Sequence, residues 1–597
     1  TERVERQKAA DMFVVIGNPP YNAWQVNEND NNKNRKYKKT LDPLLQETYS
    51  RASKATNKNA LSDPYVKAIL WASKRIGEEG VVAFVTNNGF LDRTAFDGMR
   101  KHLAQDFNTI YILDMGGNVR QNPKLSGTTH NVFGIQVGVS INFLIKKNGS
   151  KTDSSPTEIF YARVDEFWRK EEKYNYLDSK GHYQNVEWQQ IKPDSRHTWL
   201  TEGLHAEFDT FIPMGTKEAK AIKGEAADII FKTYSSGVKT NRDAWVYNFN
   251  RNTLAENVQR MMEFYNPQVL KWLVTPEKSI VDIDNFVVYD NTKISWSSGL
   301  KRKLKSGKLA EFSEKNVRTS LYRPFTKSHL YFDRLMNEAV YVFPSIFPTP
   351  ETESENRVIC VSGVGHDIFR CHIANGISEL KFSSSSNGGT QCFPFYTYDE
   401  DGSNRQENIT DWALAEFQIH YGDDTITKRD IFHYNYGLLH HPAYREKYQM
   451  NLKRDLPHIP FAKDFWGFAK AGAALADLHV NYESAPKYDG LKYIVTEGMK
   501  VDWDVEKMKL SKDKTQITYN DFLTLDGIPA EVYAYRLGNR SALEWVVDQY
   551  RVKTDKRSGI VNNPNRTDEP RYIVDLIGRV ITVSLKTVEI VKNLPAL

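Results

Sequence analysis

The first quarter of the chain alternates short apolar runs with amphipathic stretches. Apolar runs of strand length occupy residues 12–16, 81–85, 110–113 and 137–145. Such runs, bounded by polar segments and separated by stretches of helical periodicity, are typical of α/β architecture with a mostly parallel sheet. We therefore predict an α/β domain at the beginning of the chain, with these runs as its buried strands.

One helix of this domain is well delimited by the sequence itself. Asp63 and Pro64 form a typical pair of N-cap and first-turn residues, and Gly77 and Gly80 mark the end of the segment. The apolar residues that recur between them at helical spacing are Tyr65, Ile69, Ala72 and Ile76. This spacing predicts an amphipathic helix with one buried face.

Beyond about residue 185 the regular pattern gives way to aromatic-rich segments interrupted by Pro, Gly and Asn. We predict three parts, an α/β part at 1–185 and α+β parts at 186–480 and 481–597. Two segments differ from their surroundings. Residues 300–307 (LKRKLKSG) predict a basic linker or arm, and residues 469–476 (AKAGAALA) predict a short helix.

Composition narrows the possible classes of function. The 597 residues contain no run of about 18 apolar residues, so we expect no membrane role. The net charge of +5 arises from 80 basic and 75 acidic residues, and it is too small to identify a polyanionic partner.

The cysteines and the first residues of the chain bear on its location. C-x-x-C spacing is lacking among Cys360, Cys371 and Cys392, which argues against a zinc ribbon or disulfide framework and favours a cytoplasmic location. No leader-like segment follows Thr1, and we expect the chain to begin inside a longer protein.

The first apolar run leads directly into Gly17-Asn18-Pro19-Pro20-Tyr21. Open α/β sheets bind ligands at the carboxyl ends of their strands, where this motif falls. The Asn18 side-chain oxygen and the Pro19 carbonyl are suited to accept the two hydrogens of adenine N6, which favours a pyramidal, nucleophilic nitrogen. The prolines fix φ near about −65° and make the turn rigid, and Tyr21 offers a flat face to a flipped-out base. The motif therefore predicts a site for methylation of adenine N6.

The same four residues are also compatible with a rigid loop that has no catalytic role, because short motifs recur by chance. Their context favours the functional interpretation, since the motif follows an apolar strand and precedes a basic loop suited to phosphates. The basic residues of this loop are Lys33, Arg35, Lys36, Lys38 and Lys39. Charged runs are also common in solvated loops that bind nothing, so this support is partial.

Three segments together resemble the γ-type amino-methyltransferases: 17–21, 80–91 (GVVAFVTNNGFL) and 130–139 (HNVFGIQVGV). They are similar, in order, to the catalytic motif, to the next strand with its loop, and to a late motif whose aromatic contacts the flipped base. The resemblance implies the C-terminal part of a Rossmann-like methyltransferase sheet, with the Asn-Pro-Pro-Tyr residues as the catalytic set and Phe133 against the base. By its own pattern, Phe133 would be assigned to the core.

Four later segments are similar to Type ISP restriction-modification enzymes: 237–245 (GVKTNRDAW), 322–325 (YRPF), 436–445 (YGLLHHPAYR) and 538–545 (GNRSALEW). In that family one polypeptide joins a nuclease, an ATP-driven translocase, an adenine methyltransferase and a recognition domain. The resemblance covers nearly the whole chain and implies that it is the C-terminal part of such an enzyme.

That resemblance assigns roles to the three predicted parts. Residues 1–185 become the catalytic half of an adenine-N6 methyltransferase domain, 186–480 the target-recognition domain, and 481–597 the C-terminal part of the DNA-recognition region. It implies S-adenosylmethionine as the methyl donor, double-stranded DNA as the partner, and upstream nuclease and translocase domains on the same polypeptide.

Candidate DNA contacts come from the basic residues of these regions. Arginine commonly reads guanine in the major groove, whereas lysine more often meets phosphate. The candidates are Lys36, Lys38, Lys239, Arg242, Arg323, Arg445, Lys453 and Arg454. A solvated or structurally paired charge is an equally compatible interpretation for each of them.

The donor half of the predicted site is missing from the sequence. S-adenosylmethionine needs a glycine-rich turn after a first strand, and in the γ order this turn precedes Asn18, which only 17 residues precede. We expect the donor half to lie upstream. In a permuted order the turn would be 358–365 (VICVSGVG) or 114–117 (DMGG), although a lone G-x-G is a weak signal.

Other catalytic classes find little support. No G-x-x-x-x-G-K-[ST] phosphate loop is present, so these residues predict no ATP-driven motor. His366, His372, His440 and His441 lack metal-ligand spacing, and we expect hydrogen-bonded structural histidines and no metal.

Three functions remain open from the sequence. The first is DNA adenine-N6 methylation within a restriction-modification enzyme. The second is a sequence-specific DNA-binding module that is inactive in isolation. The third is methylation of a protein glutamine or of RNA, because Asn-Pro-Pro-Tyr also suits a planar amide. The long aromatic and basic region after the catalytic part favours DNA, since a small amide substrate needs no such reader.

Overall fold

The computed structural model describes ten segments of the chain and divides into two compact units. The described segments are 2–10, 12–21, 37–55, 58–118, 129–147, 156–218, 228–276, 281–365, 368–383 and 388–597. Unit 1 is Thr1–Glu202 and unit 2 is Gly203–Leu597. The division into 1–185, 186–480 and 481–597 stays a prediction.

Unit 1 contains a six-stranded sheet with helices packed against it. Its strands are β1 (Val14–Gly17), β2 (Gly80–Asn87), β3 (Thr109–Gly116), β4 (Val139–Lys146), β5 (Glu158–Arg163) and β6 (Gln189–Ile191). Its helices are α1 (Glu2–Ala9), α2 (Leu41–Leu45), α3 (Pro64–Arg75), α4 (Asp97–Asp106) and α5 (Lys170–Lys180). The four predicted strands and the predicted helix are present, with bounds shifted by one to three residues.

The strand order in this sheet is β1-β2-β4-β3-β5-β6. β1 pairs with β2 and β3 with β5 in parallel. β4 lies between β2 and β3 and is antiparallel to both, and β6 is antiparallel to β5. The α/β class is confirmed, but the expectation of a mostly parallel sheet was wrong, because β4 returns between two strands that run the other way.

The two faces of the sheet differ in how well they are covered. Val15, Val82 and Phe84 contribute to a core that includes residues of α3 and α4. On the other face of edge strand β1, the side chains of Val14 and Ile16 are 64% and 80% exposed. Within the described residues, β1 therefore leaves both its outer edge and one apolar face uncovered.

Unit 2 is an α+β assembly of small sheets and helices. Its strands are β7 (Ile212–Pro213), β8 (Ser235–Ser236), β9 (Tyr247–Asn248), β10 (Val317–Arg323), β11 (Thr326–Tyr331), β12 (Val358–Ser362), β13 (Cys371–Ala374), β14 (Ile377–Ser378), β15 (Thr390–Pro394), β16 (Tyr396–Thr397), β17 (Gln406–Glu407), β18 (His458–Ile459), β19 (Lys492–Val495), β20 (Lys509–Leu510), β21 (Gln516–Thr518), β22 (Leu523–Asp526), β23 (Arg536–Leu537), β24 (Arg540–Ser541), β25 (Lys553–Thr554) and β26 (Val561–Asn562). The four-stranded sheets have the orders β14-β10-β11-β9, β13-β12-β15-β8 and β19-β22-β21-β20.

Helices of very different length accompany these sheets. They are Asp243–Val246, Arg251–Val274, Ile283–Phe286, Ser298–Lys305, Phe343–Ile346, Pro350–Glu355, Asp411–Tyr421, Lys428–Leu438, Pro442–Lys447, Gln449–Leu452, Phe465–Val480, Ala542–Gln549 and Tyr572–Lys592. The interpretation of 300–307 as a basic linker or arm was wrong. Residues 300–305 belong to the helix Ser298–Lys305, which buries Leu300 and Leu304 one turn apart.

The predicted helix at 469–476 is part of the longer helix Phe465–Val480, which packs closely on the helix Lys428–Leu438. Two glycines make this approach possible. A Cβ on Gly472 would lie 1.8 Å from the carbonyl oxygen of His433, and one on Gly437 would lie 2.4 Å from that of Phe468. The small residues of this segment therefore serve a close contact between helix backbones.

We predict that Gly472→Val destabilises the protein by about 2–3 kcal/mol, because the backbone of the facing helix must move to make room. Chemical denaturation of both forms measures the difference. Ala474→Val, on the exposed face of the same helix, is the matched control and should cost about 0.5 kcal/mol. Equal losses for the two variants would contradict the importance of the close contact.

Candidate active site

The Asn-Pro-Pro-Tyr residues follow β1 at its carboxyl end. Asn18 and Pro20 are exposed, whereas Pro19 and Tyr21 are half-buried. Tyr21 packs against the core of unit 1, and burial raises the pKa of its phenol to about 12. The turn thus combines an accessible carboxamide with an aromatic ring that stays neutral and is held by the core.

Other polar groups lie at the same edge of the sheet. Asn87 ends β2 and pairs with Val139 at the start of β4, and Gly116 at the end of β3 pairs with the same residue. Because β1 is parallel to β2, the ends of all three strands and the segment leading into β4 meet at one edge. This edge is the crevice where open α/β sheets bind ligands.

Asp114 organises this edge from inside the protein. Asp114 is 4% exposed, and its carboxylate accepts hydrogen bonds from Asn88 Nδ2 (2.9 Å), the Gly116 amide (2.9 Å) and the Tyr161 hydroxyl (3.0 Å). Arg163 Nε lies 4.0 Å from it. A carboxylate only accepts, so the Asn88 amide nitrogen must face it. The backbone amide of Asn88 donates to Gly138 O, which fixes the entry to β4.

Phe133 lies in the segment 129–138 that precedes β4, and 45% of its surface is exposed. Asn131, fully buried, accepts from the amides of Phe133 (2.9 Å) and Ile135 (3.3 Å) and donates to Gly117 O (3.2 Å) and Val137 O (2.6 Å). The structure therefore places Phe133 at the surface of a firmly bonded segment rather than in the core.

Each of the two glycine turns considered for the methyl donor contains a glycine that is crowded by backbone. A Cβ on Gly117 would lie 2.7 Å from His130 O, so the segment 129–138 fills the space beside it. Gly363 is equally close to the Gly388 and Gly389 carbonyls, and it follows β12, whose neighbours are both antiparallel. At Gly117 and Gly363, neighbouring backbone thus fills the space that an open donor-binding turn would need, and the permuted order stays a prediction.

Among the candidate DNA contacts that the structure describes, six lysine and arginine side chains reach the surface at least in part. Lys38 is exposed, and the half-buried ones are Lys239, Arg323, Arg445, Lys453 and Arg454. Lys36 lies outside the described residues. The structure does not place Lys38 in the same unit as the other five.

Three candidate arginines have protein partners within unit 2. Arg242 has no exposed side-chain surface and pairs with Glu338 at 3.7 Å. Arg323 pairs with Glu379 at 2.6 Å and lies 4.1 Å from the Tyr322 ring. Arg445 Nε donates to Leu439 O, and burial lowers the pKa of its guanidinium. These contacts give each arginine a structural role in this conformation, with Arg242 buried and Arg323 and Arg445 half-buried. Their assignment as DNA contacts stays a prediction.

The segment 322–325 also has a structural explanation. The Tyr322 hydroxyl donates to Asp243 Oδ2 at 3.0 Å. Phe325 is fully buried with φ of 56°, a left-handed conformation that bulky residues rarely adopt. Its ring contacts those of His372 and Tyr482, each at 5.1 Å between centroids. The motif therefore joins the β10–β11 hairpin to the C-terminal core of unit 2.

The described histidines of the sequence prediction have protein partners. His440 Nδ1 lies 2.8 Å from Tyr436 O, His441 Nε2 lies 3.1 Å from Pro595 O, and His372 Nδ1 lies 2.8 Å from Ile373 O. His366 is outside the described residues. In the part of the chain that is described, no three His, Cys, Asp or Glu side chains form a group that could hold a metal.

None of the helices in the described segments is both long enough and apolar enough to cross a membrane.

Sequence reasoning missed the polar residues behind the site: Asn88, Asp114, Asn131 and Lys173. Asp114 carried a usable signal, since an acidic residue at the end of an apolar strand falls at the carboxyl edge of the sheet. Asn131 is a buried polar residue in a mostly apolar segment, but its four hydrogen bonds depend on contacts that a single sequence does not reveal.

Comparisons with known families define the class of the protein. Residues 4–120 match the family described as Eco57I restriction-modification methylase, and residues 229–576 match the Type ISP C-terminal specificity domain. The chain therefore combines the folds of a restriction-modification methylase and of a DNA-specificity domain. It belongs to the Type ISP restriction-modification family, which confirms the resemblance found in the sequence.

Three solved structures align with the whole chain. The nuclease-deletion mutant of the Type ISP enzyme LlaGI, in complex with a DNA substrate mimic, is 34% identical with a TM-score of 0.85. DrdV, as a DNA complex, is 37% identical (0.85), and the ATP-dependent Type ISP enzyme LlaBIII, bound to DNA, is 32% identical (0.87). The chain covers 54%, 58% and 38% of these proteins, respectively. No curated protein matched the sequence.

Proposed function

We propose that the chain supplies the base-binding half of a DNA adenine-N6 methyltransferase, together with the domain that reads the surrounding sequence. The observation that carries this proposal is the exposed Asn18 carboxamide in a rigid turn at the carboxyl edge of a methylase sheet. Phe133, at the same edge, offers an exposed aromatic face.

The chemistry assigned to these residues is hydrogen bonding and stacking. Asn18 Oδ1 and the Pro19 carbonyl accept the two N6 hydrogens, so that the nitrogen lone pair leaves the ring and becomes nucleophilic. Tyr21 and Phe133 provide ring faces for a base removed from the duplex, which offsets an unstacking cost of a few kcal/mol. Pro19 and Pro20 limit movement of the acceptors during transfer.

S-adenosylmethionine is the donor we propose, and it supplies an electrophilic methyl group. We place its site on residues upstream in the same polypeptide, because backbone fills the space beside Gly117 and Gly363. The uncovered edge and face of β1, with Val14 and Ile16 exposed, are where further strands and helices would complete the sheet. The chain covers 54% of LlaGI and 58% of DrdV, so these relatives contain further residues of the kind that this proposal requires.

Double-stranded DNA is the proposed partner. The three relatives were solved with DNA or a DNA mimic, and LlaBIII is described as ATP-dependent. From these relatives we propose that a translocase and a nuclease lie upstream on the same polypeptide in this protein. All the candidate contacts remain part of this proposal. Those that reach the surface at least in part are Lys38, Lys239, Arg323, Arg445, Lys453 and Arg454, whereas Arg242 is buried and Lys36 lies outside the described residues.

A second candidate is a DNA-binding module without activity in isolation. The observation that favours it is that backbone atoms fill the space beside Gly117 and Gly363, one glycine in each of the two turns. The two proposals differ in whether methyl transfer occurs once the complete polypeptide is present.

Tritiated methyl transfer from S-adenosylmethionine to mixed-sequence duplex DNA tests these proposals. The chain alone, the complete polypeptide and its Asn18→Ala form are compared. Asn18→Ala should reduce transfer about a hundredfold or more, because it removes an acceptor that acts in the transition state. Asn185→Ala, an exposed asparagine of unit 1, is the matched control and should leave the rate unchanged.

The position of the label decides between the candidates. Label on adenine N6 from the complete polypeptide alone supports the divided site. DNA binding without transfer by any form supports the binding module. Label in RNA or in protein glutamine, but not in DNA, would contradict the proposed substrate.

A further inference from the structure

We propose that Asn131 is a positioning residue for the target base, acting through Phe133. Its buried carboxamide holds the segment 129–138 in the conformation that presents the Phe133 ring at the carboxyl edge of the sheet. This inference rests on the proposed function and deepens it, because it names the group that sets the geometry of base stacking.

The carboxamide of Asn131 uses all of its hydrogen-bonding capacity within this segment. Oδ1 accepts from the amides of Phe133 and Ile135, which flank the tip, and Nδ2 donates to Val137 O on the returning side. Nδ2 also donates to Gly117 O at the end of β3. One side chain thus closes the loop and attaches it to the sheet.

Further contacts hold the base of the same segment. Lys173 is fully buried, and its ammonium donates to Met115 O (2.6 Å) and His130 O (2.7 Å). The Tyr174 hydroxyl donates to Val132 O at 2.7 Å. On the other side, the Asn88 amide donates to Gly138 O, and Asp114 fixes the Asn88 side chain. The polar framework therefore constrains the segment from α5, β2 and β3.

Stability of the fold alone does not explain why these hydrogen bonds hold Phe133 in place. The segment is fixed by many bonds, yet Phe133 is 45% exposed. An exposed ring adds little to stability, whereas a ring fixed before binding spares the cost of ordering it when a base arrives. The framework thus prepares a stacking surface in advance.

A double-mutant cycle on the complete polypeptide tests this role. Methyl transfer to mixed-sequence duplex DNA is measured for wild type, Asn131→Ala, Phe133→Ala and the double variant. We expect Asn131→Ala to lower kcat about tenfold, the size of one or two lost hydrogen bonds, with the DNA Kd unchanged. In the Phe133→Ala background, Asn131→Ala should lower kcat less than about twofold, because the ring that Asn131 positions is no longer present.

Tyr174→Phe is a second, milder variant, which keeps the inference testable if Asn131→Ala does not fold. Tyr174 is 39% exposed, so loss of its hydroxyl should leave the fold intact while lowering kcat about threefold, again only when Phe133 is present. Asn185→Ala is the control and should change neither kcat nor KM. Equal losses in both Phe133 backgrounds would overturn the inference while leaving the proposed function standing. Absence of transfer by the wild-type polypeptide would refute the proposed function and this inference together.

Discussion

Acidification from pH 6.5 to pH 4 is expected to destabilise unit 2 by several kcal/mol through three buried histidines. His372, His440 and His479 are at most 3% exposed. Their rings form one cluster, with centroids 5.6 Å apart between His372 and His479 and between His440 and His479. Arg445 is the charged neighbour of His440 and His479, and its positive charge opposes their protonation.

The sign of the effect follows from the direction of the pKa shifts. Burial lowers the pKa of His372 to about 4, and burial lowers those of His440 and His479 well below their usual range. The unfolded chain therefore binds protons below about pH 6.5 that the folded chain rejects, so stability falls as the pH falls. For His372 alone, a shift from 6.5 to about 4 corresponds to about 3 kcal/mol.

Urea denaturation at intervals from about pH 7 to about pH 4 measures this loss. His372→Phe removes one titrating group, and His372 Nε2 has no hydrogen-bond partner within the described residues. We expect this variant to reduce the pH dependence by up to about 1.4 kcal/mol per pH unit. His420→Gln, at an exposed histidine, should leave the dependence unchanged. A His372→Phe curve parallel to that of the wild type would refute the explanation.

The elements that were predictable share a local signal. The helix Pro64–Arg75 was delimited by its proline start, its apolar spacing and the glycine beyond it. The strands β1, β2, β3 and β4 were apparent because runs of apolar residues in a buried sheet need no partner information to be recognised. The order of these strands was not apparent, because apolar periodicity does not encode which strands pair or in which direction.

Basic residues were the least predictable part of the candidate site. Residues 300–307 were interpreted as an arm because their charge outweighed two leucines at helical spacing, which are the buried positions. Arg242, Arg323 and Arg445 were assigned to DNA by residue type, and the structure shows that each also has a partner within unit 2. An arginine becomes structural through partners such as Glu338 and Glu379, which are 96 and 56 positions away in the sequence.

Asn18 and Phe133 were recognised for a different reason. Motif resemblance identified them without any knowledge of their surroundings, and the structure places both at the carboxyl edge of the sheet. The framework around Phe133 was invisible to this approach, because Asp114, Asn131 and Lys173 act through contacts between separate segments. Recognition therefore found the groups proposed to touch the base and missed those that hold them.

Replacing Glu338 by alanine is expected to destabilise the protein by about 3–5 kcal/mol, because it leaves the buried charge of Arg242 without its partner. The Arg242 side chain has no exposed surface, and burial lowers the pKa of its guanidinium to about 10 against the opposing effect of Glu338. Glu338 also accepts from Ser297 and from the Gly299 amide, so its loss frees the beginning of the helix Ser298–Lys305.

A double variant separates charge from packing. Arg242→Met combined with Glu338→Ala removes both charges and should be less destabilised than the sum of the two single changes, since no unpaired ion remains buried. Glu400→Ala, which breaks the exposed pair with Arg334 (side chains 60% and 63% exposed), is the control and should cost less than about 1 kcal/mol.

DNA binding distinguishes the structural role of Arg242 from the role first assigned to it. If Arg242 acts only inside unit 2, the folded double variant retains the DNA affinity and the salt dependence of the wild type, because no phosphate contact has been lost. A fall in DNA affinity of about tenfold or more, with the fold intact, would indicate that Arg242 contacts DNA. Equal costs for Glu338→Ala and Glu400→Ala would contradict the buried ion pair itself.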